Sequence, residues 1–149
     1  MTGILTKDQI DNILKSQSIG RLACADGKHP YVVPITYYYD GDAIICQSQE
    51  GKKIKILRKN PHVCFQVDLV TSMNNWQSIQ AFGTYEELDE EKAEKAREKL
   101  FGNVFTLMTE ARSHHFEHDL ADKIDDSNRI KHVMFKIKIR EVAGRFEKQ

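Results

Sequence analysis

The sequence predicts a mainly β fold with peripheral α-helices, built as a six-stranded antiparallel barrel, and three observations predict it. Six runs rich in β-branched and aromatic residues are spread from Ile19 to the C-terminal end. Asp26-Gly27 and Asp40-Gly41 stand between the first of these runs, and glycine accepts the positive φ that tight hairpins need. Helical patterns are few and do not alternate regularly with the strands, which favours an antiparallel barrel with helices outside over a parallel α/β sheet.

The elements follow in order. Thr6-Lys7-Asp8-Gln9 places a hydroxyl three residues before a glutamine, the pattern of a capping box, and Ile10, Ile13 and Leu14 then recur at helical spacing, so a first helix starts there. Residues 19–25, 31–39 and 43–48 read as three strands of a meander. Residues 51–59 carry Ile54, Ile56 and Leu57 among lysines and meet Asn60-Pro61, which ends a short basic helix. Strand character resumes over 63–69 and 77–85, with the polar stretch 71–75 between them read as a loop. Asp89 opens an acidic turn, and 90–100 alternates acids and bases as a solvated helix does. A further helical stretch is expected over 105–120, set off by Gly102-Asn103 before it and by 125–128 after it. The last strand is 132–142, in which Val133, Phe135, Ile137 and Ile139 alternate with polar or longer side chains.

Bulk properties narrow the function. A chain of 149 residues that is 40% hydrophobic suits one domain, 1–149, with a core of its own. Lys plus Arg and Asp plus Glu balance at 22 each, so no net field draws the protein to nucleic acid or to an anionic membrane, and any phosphate must be held locally. Cys24, Cys46 and Cys64 are odd in number and lack a Cys-x-x-Cys pair, as expected of reduced thiols in a cytoplasmic protein. No charged-then-apolar leader opens the sequence, and no apolar run approaches a membrane span.

The stretch with most chemistry is Ile44-Ile45-Cys46-Gln47-Ser48-Gln49-Glu50-Gly51-Lys52-Lys53, a strand passing through a hydroxyl and a glycine into a helix led by two lysines. Free N–H groups at a helix start, the positive end of its dipole, the Ser48 hydroxyl and two ammonium groups can converge on one dianion. The bland alternative is a solvated basic helix, and the spacing alone leaves both open.

The run from Ile19 to Gly83 resembles the pyridoxamine 5′-phosphate oxidase-like, FMN-binding split-barrel superfamily, in its small flavin-binding and nitroimidazole-reductase-like branch. The resemblance rests on Ile19-Gly20-Arg21-Leu22-Ala23, on Pro30-Tyr31-Val32-Val33-Pro34-Ile35-Thr36-Tyr37, on Gln47 to Lys53 followed by Leu57-Arg58-Lys59-Asn60-Pro61, and on Asn75-Trp76-Gln77-Ser78-Ile79-Gln80-Ala81-Phe82-Gly83. The order of these segments is more specific than any one of them. It implies a split β-barrel in which Ser48, Lys52 and Lys53 hold the FMN phosphate and Gln47 is among the cofactor-binding residues. Val33, Pro34, Ile35, Thr36 and Tyr37 would border the isoalloxazine, with Trp76 and Ser78 near its edge. It further implies a homodimer with the cofactor between subunits.

The resemblance points to an FMN-dependent oxidoreductase that takes electrons from NADH or NADPH and passes them to a small acceptor such as a nitroaromatic or a quinone. Because flavin carries the electrons, no catalytic triad is expected. Three alternatives stay open: a non-catalytic protein that stores or senses flavin, a pyridoxamine phosphate oxidase-related enzyme, and a barrel that holds haem or a deazaflavin. Two departures bear on the choice. Relatives often have histidine where Gln47 stands, and residues 141–149 do not reproduce the basic and aromatic substrate pattern of the true oxidases. His114, His115 and His118 lack a firm further ligand, so no metal site is expected. The tyrosines 37–39 must divide between the two faces of their strand, and the cysteines read as core, with Cys46 beside Lys52 the one candidate for a perturbed thiol.

Overall fold

The computed structural model describes residues 1–110 and 132–149. Seven strands and three helices occur among them: β1 (Thr2–Ile4), α1 (Lys7–Ser16), β2 (Ile19–Ala25), β3 (Pro30–Tyr39), β4 (Ala43–Gln49), α2 (Lys52–Lys59), β5 (His62–Ser72), β6 (Asn75–Glu87), α3 (Glu90–Glu110) and β7 (His132–Glu147). The sheet runs β1-β7-β4-β3-β2-β5-β6 and β6 also pairs with β7, so six antiparallel strands close into a barrel and β1 lies against the end of β7. The expected six-stranded barrel is therefore present.

Local chemistry explains the turns. Asp26 Oδ1 accepts from the backbone N–H of Lys28 and of His29, and Asp40 Oδ1 accepts likewise from Asp42 and Ala43. Gly27 and Gly41 take φ values of 109° and 101°, the left-handed region that an L side chain resists. At α1, Thr6 and Gln9 form both bonds of the capping box. Ile10, Ile13 and Leu14 of α1 and Ile54, Ile56 and Leu57 of α2 join the barrel interior in one core with Leu22, Tyr37, Ile44, Phe65, Ile79, Phe135 and Ile137.

The structure corrects two expectations and adds one strand. Gly102-Asn103 does not interrupt the chain, because α3 runs unbroken from Glu90 to Glu110. A glycine in a helix costs about 1 kcal/mol relative to alanine. Burial of Ala96, Leu100 and Val104 against Ile45 and Met134 outweighs it, and this apolar stripe seats the charge-rich helix on the outer wall of the barrel. The polar stretch 71–75 is not a loop: β5 extends to Ser72 and β6 starts at Asn75, leaving two residues to turn. Thr2–Ile4, too short to show alternation, pairs with Arg145–Glu147. The region expected to hold His114, His115, His118 and the break at 125–128 lies outside the described residues.

Candidate functional site

The site is built where β4 leaves the barrel. Side chains of β4 alternate between the inner core, which takes Ile44 and Cys46, and the layer under α3, which takes Ile45. Ser48 continues the inner series at the barrel mouth and remains buried. Gly51 then serves as the N-cap of α2 with no side-chain cap, and the first turn of the helix holds no acid. Ordinary helices place carboxylates and hydroxyls at that end, as α1 does with Thr6 and Asp8. Here Lys52 and Lys53 stand there instead, adding positive charge to the positive end of the dipole.

Lys53 turns back so that Nζ donates to Ser48 Oγ at 2.9 Å. Its ammonium is half-buried, and desolvation pulls its pKa below the ordinary lysine value, with Cys46 and Cys24 opposing that shift. Burial pushes both of those thiols up, so they stay neutral and the ammonium has no counter-charge from them. Lys52 Nζ lies 5.4 Å from the centroid of the Tyr31 ring, a cation–π arrangement that fixes the outer edge of the cradle. These groups, with Gln47, Gln49, Glu50, Gly51 and His132, line a cavity of about 430 Å³. Glu50 would oppose an anion, but both its oxygens accept from Arg58, at 2.7 and 3.0 Å, and Arg58 Nε also donates to Glu87. The carboxylate is thereby turned to a guanidinium that it shares with Glu87.

The cavity opens at a seam. β3 pairs with β2 over seven residues, from Pro30 to Thr36, but with β4 only through Tyr37–Tyr39. Tyr31 of β3 and residues 47–49 of β4 border the space where the two strands have separated.

The structure brings Gln47, Ser48, Lys52 and Lys53 to one cavity. The residues expected around the ring divide by the alternation of β3. Ile35 and Tyr37 are buried in the barrel and Val33 packs against that core, whereas Pro34 and Thr36 are exposed on the outside. Tyr37 is fully buried, edge-on to Phe65, with its hydroxyl donating to the carbonyl of Leu14 at 2.7 Å. The Tyr37 N–H donates to the carbonyl of Ser18 at 2.9 Å, and by alternation the backbone groups of Val33 and Ile35 also face β2, so the free edge of β3 is presented by Pro34 and Thr36. Tyr39 also points inward and Tyr38 packs under α3.

Trp76 and Ser78 are half-buried on β6. Rows across the outer face run Gln80, Gln66, Arg21, Pro34 and, beside it, Phe82, Cys64, Ala23, Val32. Trp76 and Ser78 share that face with Pro34 and Thr36, but β5 and β2 intervene, a separation of roughly 14 Å at ordinary strand spacing. Within one chain the two groups do not converge. For Cys46 the neighbouring cation is Lys53 rather than Lys52, and full burial leaves the thiol unreactive.

Sequence reasoning missed Tyr31, Arg58, Arg97 and His132. Arg97 of α3 donates from Nε to Gln47 Oε1 at 3.1 Å, and Gln47 Nε2 lies 3.1 Å from His132 Nδ1. These partners are 50 and 85 residues from Gln47 in sequence, so no local motif could have linked them. Among the described residues no group of acids, histidines and cysteines is placed to hold a metal, and no helix is long and apolar enough to cross a membrane.

Comparison with known proteins extends this picture. A family model described as pyridoxamine 5′-phosphate oxidase matches residues 6–146. The crystal structure of an FAD-binding protein from Mesorhizobium loti superposes with a TM-score of 0.76 at 30% identity, covering 99% of each chain. That of a proposed 5-nitroimidazole antibiotic resistance protein from Bacteroides thetaiotaomicron superposes at 0.71 with 18% identity, over 98% of this chain and 87% of the other, a likeness of fold. An uncharacterized protein of Rhizobium meliloti, RA0666, is 34% identical over 85 residues, which are 57% of this chain and 56% of that protein. The match thus spans little more than half the length of that relative.

Proposed function

From the premise that the chain belongs to the pyridoxamine 5′-phosphate oxidase family, we propose that it binds FMN and uses it as a redox enzyme, with the phosphate held by Ser48, Lys52 and Lys53. The observation that carries this reading is the uncapped start of α2, where Lys53 and Ser48 meet at 2.9 Å beside an open seam in the barrel. A half-buried ammonium of depressed pKa is stabilised by an arriving dianion, whose charge replaces the lost hydration. The residues present therefore fit a phosphate.

Pro34 and Thr36 are the groups offered to the ring, with Val33, Ile35 and Tyr37 beside them on the strand and their backbone held in the β2 ladder. When bound, flavin supplies transfer of electrons between a donor and an acceptor. NADH or NADPH is the proposed donor, and a nitroaromatic or quinone the proposed acceptor. The chain's own part is to grip the phosphate, to present an apolar strand edge and to keep bulk water from the inner side of that edge. FMN binding by this chain agrees in cofactor class with the FAD-binding protein of Mesorhizobium loti.

The second subunit belongs to the same proposal. Ile19, Val32 and Val70 stand outward from the barrel with more than half of their surface exposed. Together with Trp76 on β6 they set apolar side chains among Gln66, Gln80 and Arg21 on the β2–β3–β5–β6 face, the mixed composition that subunit contacts use. A second copy on this face would cover it, and would bring Trp76 and Ser78 of one chain towards the ring site of the other.

Titration of flavin-free protein with FMN, FAD and riboflavin tests the reading. FMN is expected to bind more tightly than riboflavin. Lys53→Ala should weaken it by about 1.5–3 kcal/mol, as for a charge-assisted contact, and Lys52→Ala by less. Equal affinity for FMN and riboflavin would remove the phosphate assignment, and preference for FAD would replace FMN as the cofactor. Anaerobic bleaching of the bound flavin by NADH or NADPH tests the enzymatic role; a yellow protein that neither reduces would be a flavin carrier.

A further inference from the structure

Three side chains from three elements form a chain of hydrogen bonds whose direction is fixed. The Arg97 guanidinium can only donate, so the Gln47 oxygen facing Arg97 Nε at 3.1 Å accepts. The Gln47 amide nitrogen is thereby left towards His132 Nδ1, at 3.1 Å, and an amide NH2 can only donate. Nδ1 must then offer a lone pair, and the ring hydrogen sits on Nε2. Register explains why the three meet. Gln47 and Met134 are paired residues of β4 and β7 on the face covered by α3, and His132 lies two positions from Met134 on the same side. Gln47 and His132 both line the cavity that contains Ser48, Lys52 and Lys53.

We propose that Arg97 and Gln47 are positioning residues that hold His132 as its Nε2–H tautomer, which makes His132 a neutral third donor to the anion gripped by Lys52 and Lys53. Two ammonium groups attract an anion from any direction, whereas a ring N–H held by its far nitrogen donates along one line. The relay thus adds direction to a cradle whose lysines supply charge. The anion role rests on the flavin-phosphate reading; the tautomer does not.

Two-bond proton–nitrogen spectra of protein carrying labelled histidine test the relay directly. His132→Gln identifies the His132 signals among the six histidines of the chain. The parent is expected to show a bare Nδ1 and a protonated Nε2. Gln47→Glu keeps an acceptor for Arg97 and replaces the amide donor by an acceptor, so a hydrogen should appear on Nδ1. Arg97→Met frees the amide to rotate and should give a mixture of tautomers. A parent with hydrogen on Nδ1, or an Nδ1 that stays bare in Gln47→Glu, would overturn the relay, and a role in packing alone would not move these signals.

For the anion role, His132→Phe should weaken FMN about tenfold, as loss of one hydrogen bond to a charged group does, and leave riboflavin unchanged. Equal loss for both flavins, or none, would overturn that role. A parent protein that binds neither flavin would overturn the proposed function and the anion role together, with the spectra still deciding the relay.

Discussion

Lys53 illustrates how one residue can be arranged against the stability of the fold it belongs to. Its ammonium is partly withdrawn from water and receives a neutral hydroxyl in return. Replacing it with methionine should therefore raise the midpoint of thermal unfolding of flavin-free protein while weakening FMN, and a lowered midpoint would show that the charge is well solvated. The same displacement predicts a pH dependence. A base whose pKa is depressed loses its proton at lower pH than a free lysine, so the ratio of FMN to riboflavin affinity should fall as pH rises through a range below the usual ~10.4. In Lys53→Met that dependence should vanish. Tyr37 is the structural counterpart. Removing its hydroxyl leaves the Leu14 carbonyl without its side-chain donor, and Tyr37→Phe is expected to lower stability by about 1 kcal/mol in denaturant titrations with no change in flavin affinity. Tyr37 was named from the sequence among residues bordering a ring, and strand alternation within that segment already required neighbours to face opposite ways. Which face was inside depended on Phe65 and Leu14, and these are remote in sequence.

At the level of the element, β6 and β7 show how a bulge re-aims a strand. Their register slips between Phe82 and Gly83, and an added Cβ at Gly83 would sit 2.3 Å from the carbonyl oxygen of Lys138. Backbone cannot swing aside as a side-chain tip can. Gly83→Ala should consequently destabilise the protein by about 1–3 kcal/mol, measurable by chemical denaturation, while the same change at Gly27 would act only through its positive φ. Gly51 behaves differently, because its φ of 177° is ordinary extended backbone and its added Cβ would meet nothing closer than 3.9 Å. Gly51→Asp should fold and supply the missing N-cap, yet place a carboxylate where the phosphate is proposed. Lower FMN affinity with an undiminished thermal midpoint is the expected outcome, and unchanged affinity would move the anion away from α2. Element identity was legible where a few adjacent residues decide it, as at Thr6–Gln9 and the two Asp-Gly turns. It was not legible at Gly102, where packing on Ile45 and Met134 overrides local propensity, nor at Thr71–Asn75, whose polar residues read as a loop although most of them belong to paired strands.

For the whole molecule, the decisive surface is the outer face of β2, β3, β5 and β6. Introducing acids there, as in the double variant Ile19→Asp and Val32→Glu, should leave the inner core untouched, since both side chains point outward. Light scattering is expected to report a monomer that has also lost flavin. A variant that stays dimeric and yellow would place the subunit contact elsewhere, and a yellow monomer would show that one chain completes the site.

What the sequence determined by itself was whatever is written contiguously: the capped first helix, the Asp-Gly hairpins, the alternating strands and the passage from Ser48 through Gly51 to Lys52 and Lys53. Hydrogen-bonding and charge preferences there act over one turn of chain, so neighbouring residues suffice. That β3 parts from β4 beyond Tyr37, that Arg58 joins Glu50 to Glu87, and that Arg97 and His132 reach Gln47 emerged with the fold. Those outcomes follow from barrel closure and from the seating of α3, which bring together residues whose separation in the chain carries no trace of their meeting.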